Sequence, residues 1–140
     1  MPSRHLTLRV DENLFEELEA ESRRTGRTRS EVAKWLLEEG LRMARHPGII
    51  FRPGPVGRRP GLVHGPDVWE VARVLKGHES VEAALAYVAD SMDLSLEQAQ
   101  AAWKYYAEFR DEIDAWMKRV DDEADRAEAA WLREQQLLPR

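Results

Sequence analysis

The 140-residue chain contains no cysteine. That excludes a disulfide framework, a thiolate metal site and a cysteine nucleophile. No apolar run approaches the roughly 20 residues that span a bilayer. The first 25 residues are charged rather than arranged as a secretory leader. The expected location is the cytoplasm. Glycine and proline are concentrated in one stretch: they make up ten of the 21 residues from 46 to 66, and none occurs from Leu96 until Pro139. The histidines His5, His46, His64 and His78 are scattered at no metal-ligand spacing. No Gly-rich phosphate loop precedes a helix, and no nucleophile triad is visible. The expectation is a protein that is not an enzyme, with no catalytic residue, metal or cofactor.

What is present begins at residues 4–10, Arg-His-Leu-Thr-Leu-Arg-Val. Strand alternation puts Leu6, Leu8 and Val10 on one face and His5, Thr7 and Arg9 on the other. A lone strand has no ladder partner, and a bare two-stranded ribbon is marginal without helices behind it. A second copy of the chain solves both problems. Two strands then pair antiparallel across a two-fold axis, the apolar face closes onto helices, and His5, Thr7 and Arg9 face outward. That outward face suits a DNA major groove, where arginine bridges guanine O6 and N7 and threonine contacts a base edge or a thymine methyl. The bland reading is a solvated face of a dimerisation strand.

Two helices should follow. Asp11 caps the first, whose stripe is Leu14, Phe15 and Leu18, and Gly26 ends it. Thr28-Arg29-Ser30-Glu31 reads as a capping box for the second, which carries Val32, Ala33, Leu36, Leu37, Gly40, Leu41 and Ala44 on a wide apolar face. Gly40 marks either a close helix contact or an ordinary tolerated glycine. The free N–H groups at Thr28, Arg29 and Ser30, with Arg27 before them and Arg4 on the strand, form a phosphate-binding set that fixes register without reading sequence.

Residues 47–66 read as a linker or irregular arm, with Gly48–Arg52 as a candidate short strand that packs on something. Arg58 and Arg59 in it read as a solvated loop before a second phosphate contact. Asp67 then caps a helix bearing Val68, Val71, Ala72 and Leu75, stopped by Gly77. Ser80 caps another, with Val81, Ala84, Leu85 and Val88 as its buried face. Ser95-Leu96-Glu97-Gln98 is a further capping box. From Leu96 the chain is one very long helix, or one with a bend the sequence does not mark. Its 3–4 stripe runs through Ala99, Trp103, Tyr106, Ile113, Met117, Val120, Ala124, Ala127 and Trp131, broken only by Arg110. Past residue 118 the stripe thins to alanine among acids, so this part wants a partner surface.

The net charge of −5 is unevenly spread. Residues 1–60 carry 12 Lys+Arg against 9 Asp+Glu, and residues 61–140 carry 9 against 17. A basic front attracts nucleic acid and an acidic back repels it. The bland reading of the back is that its acids keep the helices soluble. Trp69, Trp103, Tyr105, Tyr106, Trp116 and Trp131 read first as core. Trp116 and Trp131 stand in the acidic tail, where little core remains, and are the better interface candidates.

On His5–Val10, the Asp11 cap, Gly26 and Thr28–Val32, residues 4–46 resemble a ribbon-helix-helix domain of the CopG, Arc and MetJ type. The resemblance implies an intertwined homodimer that reads a major groove with His5, Thr7 and Arg9 and holds phosphate at Thr28–Ser30. Residues 47–117 resemble the small helical, winged-helix-like domain of VapB-type antitoxins. This second likeness is carried by Gly57–Gly61, Gly65–Val71, Ser95–Gln98 and, most specifically, Tyr105–Asp114. It implies a PIN-like ribonuclease toxin as partner; the candidate toxin or partner contacts are Tyr105, Tyr106, Phe109, Ile113, Trp116, Val120 and Trp131.

The expected fold is thus mainly α: an intermolecular β-ribbon plus two helices over 1–46, a Pro/Gly-rich linker or arm over 47–66, a helical antitoxin-like domain over 67–118 and an acidic helical tail over 119–140. The expected function is a DNA-binding antitoxin that represses its own operon as a dimer or tetramer on operator DNA, with no membrane partner. The alternative is a stand-alone regulator or DNA-organising protein whose C-terminal half oligomerises or adds a second DNA contact.

Overall fold

A computed structural model describes residues 2–54 and 57–138. Met1, Pro55, Val56, Pro139 and Arg140, which fall in the expected first domain, linker and tail, lie outside the described residues. The chain is mainly helical, with six helices and one two-stranded antiparallel sheet among the described residues. It forms two compact units, Met1–Ala44 and Arg45–Arg140. No helix among the described residues is long and apolar enough to cross a membrane.

Unit 1 contains α1 (Glu12–Thr25) and α2, which spans Arg29–Arg45 and runs to the unit boundary. The local signals act as written. The Asp11 carboxylate accepts the Leu14 N–H at 2.8 Å, and Gly26 closes α1 in the left-handed region at φ 68°. At α2 the Thr28 hydroxyl accepts the Glu31 N–H and the Glu31 carboxylate accepts the Thr28 N–H, each at 3.1 Å.

The apolar faces of unit 1 are uncovered in the single chain, contrary to the buried stripe expected. No residue of α1 is buried; Leu14 and Phe15 are exposed, as are Leu36, Leu37 and Leu41 of α2. Of the residues of α1 and α2, Val32 and Glu39 alone are buried. A Cβ added at Gly40 meets nothing within 4 Å, so the single chain makes no close helix contact there.

Unit 2 begins with a hairpin in the stretch read as a linker or irregular arm, and its first strand falls within the expected Gly48–Arg52. Strands β1 (Ile49–Arg52) and β2 (Arg59–Leu62) pair antiparallel with Ile49 opposite Leu62 and Arg52 opposite Arg59. Ile49 and Leu62 belong to the core. The Gly/Pro richness therefore flanks and enters a pair of short strands. Gly48 sits at φ 93°, with Ala101 of the neighbouring helix 3.6 Å from where its Cβ would be.

Four helices follow: α3 (Val68–Leu75), α4 (Val81–Ser91), α5 (Leu96–Glu108) and α6 (Arg110–Gln135). Helix α3 supplies Val68, Val71, Ala72 and Leu75 to the core, and α5 supplies Ala99, Ala102, Tyr105 and Tyr106. Each fully buried aliphatic side chain stabilises by about 1.5–3 kcal/mol. Ser80 caps α4 through the Ala83 N–H at 3.1 Å. Val81 is exposed rather than buried. It is the first residue of α4, and helical Cβ atoms tilt toward the N-terminus, so its side chain points off the helix end. The long C-terminal stretch takes the bent form: Phe109, at φ −113° and ψ 37°, separates α5 from α6.

Candidate functional site

The expected DNA-reading segment carries no secondary structure in the single chain from Pro2 to Asp11. Arg4, His5, Thr7 and Arg9 are all exposed, and so are the residues meant to be covered: Leu6 is 70% exposed and Leu8 58%. One copy thus holds the whole alternating pattern in water with no ladder partner.

At the start of α2 the geometry is more definite. The capping box satisfies Thr28 and Glu31, which leaves the N–H groups of Arg29 and Ser30 without an intrahelical acceptor at the positive end of the helix. The Arg29 guanidinium is not idle. It pairs with Glu19 at 3.2 Å and lies 4.9 Å from the Phe15 ring centre. Arg27 lies over the Trp35 ring at 5.9 Å. Both arginines therefore brace the α1–α2 turn, a role that sequence spacing did not reveal. Any anion at Arg29 would have to compete with Glu19.

Counting charge by structural unit changes the picture. Residues 1–44 carry 8 Lys+Arg and 9 Asp+Glu, and residues 45–140 carry 13 and 17. The basic surplus of the first sixty residues comes from Arg45, Arg52, Arg58 and Arg59, which belong to unit 2. Attraction of unit 1 to an anion rests on local clustering, at Arg4 and Arg9 and at Arg23, Arg24, Arg27 and Arg29.

Unit 2 corrects the list of partner contacts. Tyr105, Tyr106 and Ile113 are buried and Phe109 is half-buried against the same core. The 3–4 stripe here faces α3 and the hairpin, so these four side chains hold the unit together instead of presenting a surface. Trp116 and Val120 are half-buried, and Trp131 is 55% exposed. Of the seven expected contacts, Trp131 alone is an open apolar side chain.

Three polar clusters in unit 2 were not anticipated. The buried Asp67 carboxylate accepts from Arg52 Nη1 at 2.9 Å, from Trp69 Nε1 at 3.2 Å, and pairs with Arg59 Nε. Arg52 also donates to the carbonyls of Leu62 and Gly65, tying the hairpin to the start of α3. The hairpin register explains the need: Arg52 and Arg59 stand directly opposite, and like charges there repel unless an acid lies between them.

In the second cluster, His46 Nε2 bonds Glu108 and Arg45 pairs with the same carboxylate at 2.7 Å. The hydrogen bond from His46, with the charge of Arg45, holds the Glu108 carboxyl below its ordinary range. In the third, Asp114 accepts the Tyr106 hydroxyl at 2.7 Å and Lys76 Nζ at 3.0 Å. Those bonds, Tyr106 first, lower the Asp114 carboxyl; burial, then the bond to Asp114, raises the Tyr106 phenol.

None of these clusters pairs a nucleophile with a base in an open cleft. Among the described residues no three His, Asp or Glu side chains gather as metal ligands. Compared with family models, with curated proteins and with solved structures, the chain gives no match.

Proposed function

We propose that the chain is a sequence-specific DNA-binding homodimer of the ribbon-helix-helix kind, in which residues 4–10 of two copies pair and His5, Thr7 and Arg9 read the major groove. The observation that supports this reading is a matched set of uncovered surfaces. Leu6, Leu8 and Val10 are exposed on an alternating segment, and the helices that follow are properly capped yet leave Leu14, Phe15, Leu36, Leu37 and Leu41 in water. A second copy would supply the strand partner and the cover together. Arg4, Arg27, Thr28, Arg29 and Ser30 would then hold phosphate.

In this reading unit 2 is the module that meets a protein partner, as in an antitoxin that neutralises a PIN-like ribonuclease and represses its own operon. The distal half of α6 is the part that meets it, since it carries Trp131 and Leu132 exposed among acids. The burial of Tyr105, Tyr106 and Ile113 favours a second reading: unit 2 folds by itself, and the protein acts as a stand-alone regulator.

The test is a gel-shift titration against the DNA upstream of the gene, with random DNA as control, at two salt concentrations. Specific, salt-sensitive binding that Arg9→Ala abolishes in a still-folded dimer supports the proposal. Equal affinity for random DNA refutes operator reading. Recovery of a small ribonuclease on the tagged full-length protein, lost when residues 119–138 are removed, separates the antitoxin from the stand-alone regulator.

A further inference from the structure

The connection between α5 and α6 is one residue long. A break this short is a kink in a helix rather than a loop between two. Here Phe109 alone leaves helical geometry, and helical bonds continue on both sides: Phe109 N–H to the Tyr105 carbonyl and Ile113 N–H to the Phe109 carbonyl, each at 3.0 Å. Nothing local asks for a break, since no Gly or Pro occurs between Leu96 and Leu138. The 3–4 spacing also passes through the joint in register, from Tyr106 past Arg110 to Ile113 and Met117. A straight helix from Leu96 to Gln135 would keep that stripe on one face for about 60 Å.

The bend is therefore held from outside the joint. Ile113 and Met117 are buried in the unit 2 core, Lys76 and the Tyr106 hydroxyl both bond Asp114, and Arg73 pairs with Asp121 at 2.6 Å. Each contact joins α6 to α3 or α5, and each can be made equally to those helices of another molecule. We infer that a second copy of this chain receives α6: the joint straightens and the α6 of each copy seats on the α3 of the other. Exchange keeps the contacts between α6 and α3 and restores helical geometry at Phe109, and a hinge this short favours it. The inference uses residues 68–135 alone and does not depend on the DNA-binding reading.

The absence of cysteine makes the test clean. Full-length Arg73→Cys and Asp121→Cys chains are unfolded, mixed, refolded together and treated with a short bis-maleimide linker. The expected result is a covalent dimer joining position 73 of one chain to 121 of the other, about tenfold above either variant alone. A doubly substituted chain that links only within itself, with no product from the mixed pair, overturns the inference. Absence of any linkage overturns it as well, because α3 and α6 would then not be in contact. A Gly-Ser-Gly-Ser insertion after Phe109 is the second variant. It should shift linkage from between chains to within one chain, and unchanged linkage between chains would contradict the role given to the short joint.

Discussion

Replacing Asp67 with alanine removes the one carboxylate that two arginines share. Asp67 is 7% exposed, and the Arg52 and Arg59 side chains keep 25% and 29% of their surface in water. Removing one partner of a fully buried ion pair costs about 3–5 kcal/mol. Partial solvation of both arginines screens part of that loss, which leaves about 2–4 kcal/mol for unit 2. For a domain of this size each kcal/mol lowers the Tm by about 4–8 °C, so the shift should exceed about 8 °C.

Urea unfolding of the full chain, followed by tryptophan fluorescence, reads this directly, because Trp69, Trp103 and Trp116 all lie in unit 2. Gly61→Ala offers an independent route to the same network. Its new Cβ would overlap Arg52 Nη1 and stand 2.9 Å from Arg52 Cζ and 3.2 Å from Asp67 Oδ1. The two substitutions should therefore be strongly non-additive. A loss below about 1 kcal/mol for Asp67→Ala, the value of an ordinary surface pair, would refute the reasoning.

Other outcomes follow from the same geometry. Arg9→Ala removes one base contact from each copy and should lose preference for the operator by about 2–6 kcal/mol while the circular dichroism and mass of the dimer stay unchanged. Arg29→Ala removes one phosphate contact from each copy, so it should weaken binding to every sequence and reduce the salt slope by about two, and it should also loosen the α1–α2 turn, visible as faster amide exchange there. A chain ending at residue 118 should keep full operator affinity if the two units work as separate modules; loss of affinity would contradict that. Glu108 and Asp114 both titrate below their ordinary 4.5 and 3.8. Their contribution to the stability of unit 2 is complete above that range and is lost as pH falls through the lowered values. Acid unfolding of Asp114→Asn should accordingly show a shallower pH dependence below about pH 4 than the wild type.

The sequence made local structure legible and left non-local pairing hidden. The caps at Asp11, Gly26, Thr28, Ser80 and Ser95 stand where their side-chain chemistry places them, because a cap is decided within three or four residues. The hairpin of residues 49–62 was masked by its own Gly/Pro content, and only Gly48–Arg52 hinted at it. The Asp67 network joins Arg52, Arg59 and Trp69, whose convergence depends on a strand register that periodicity does not give. A cross-strand arginine pair, once the register is known, is the signal that an acid must be near. The stripe of α5 and α6 was visible, but its direction was not: Tyr105, Tyr106 and Ile113 turned inward to α3 and the hairpin. Unit 1 shows the opposite case, an apolar pattern that the single chain cannot bury.

The central claim is that residues 4–10 pair between two copies, and cysteine substitution one at a time over residues 5–9 tests it most directly. In a two-fold antiparallel ribbon, paired residues share a face. With His5, Thr7 and Arg9 on one face of both strands, the pairing must set a residue opposite its own copy. That residue has a Cα–Cα spacing of about 4.5–5.5 Å, within reach of a disulfide. The account predicts that one position in the five oxidises rapidly to a covalent dimer and that its two neighbours, on the opposite face, do not. Uniformly slow oxidation at all five positions would contradict it.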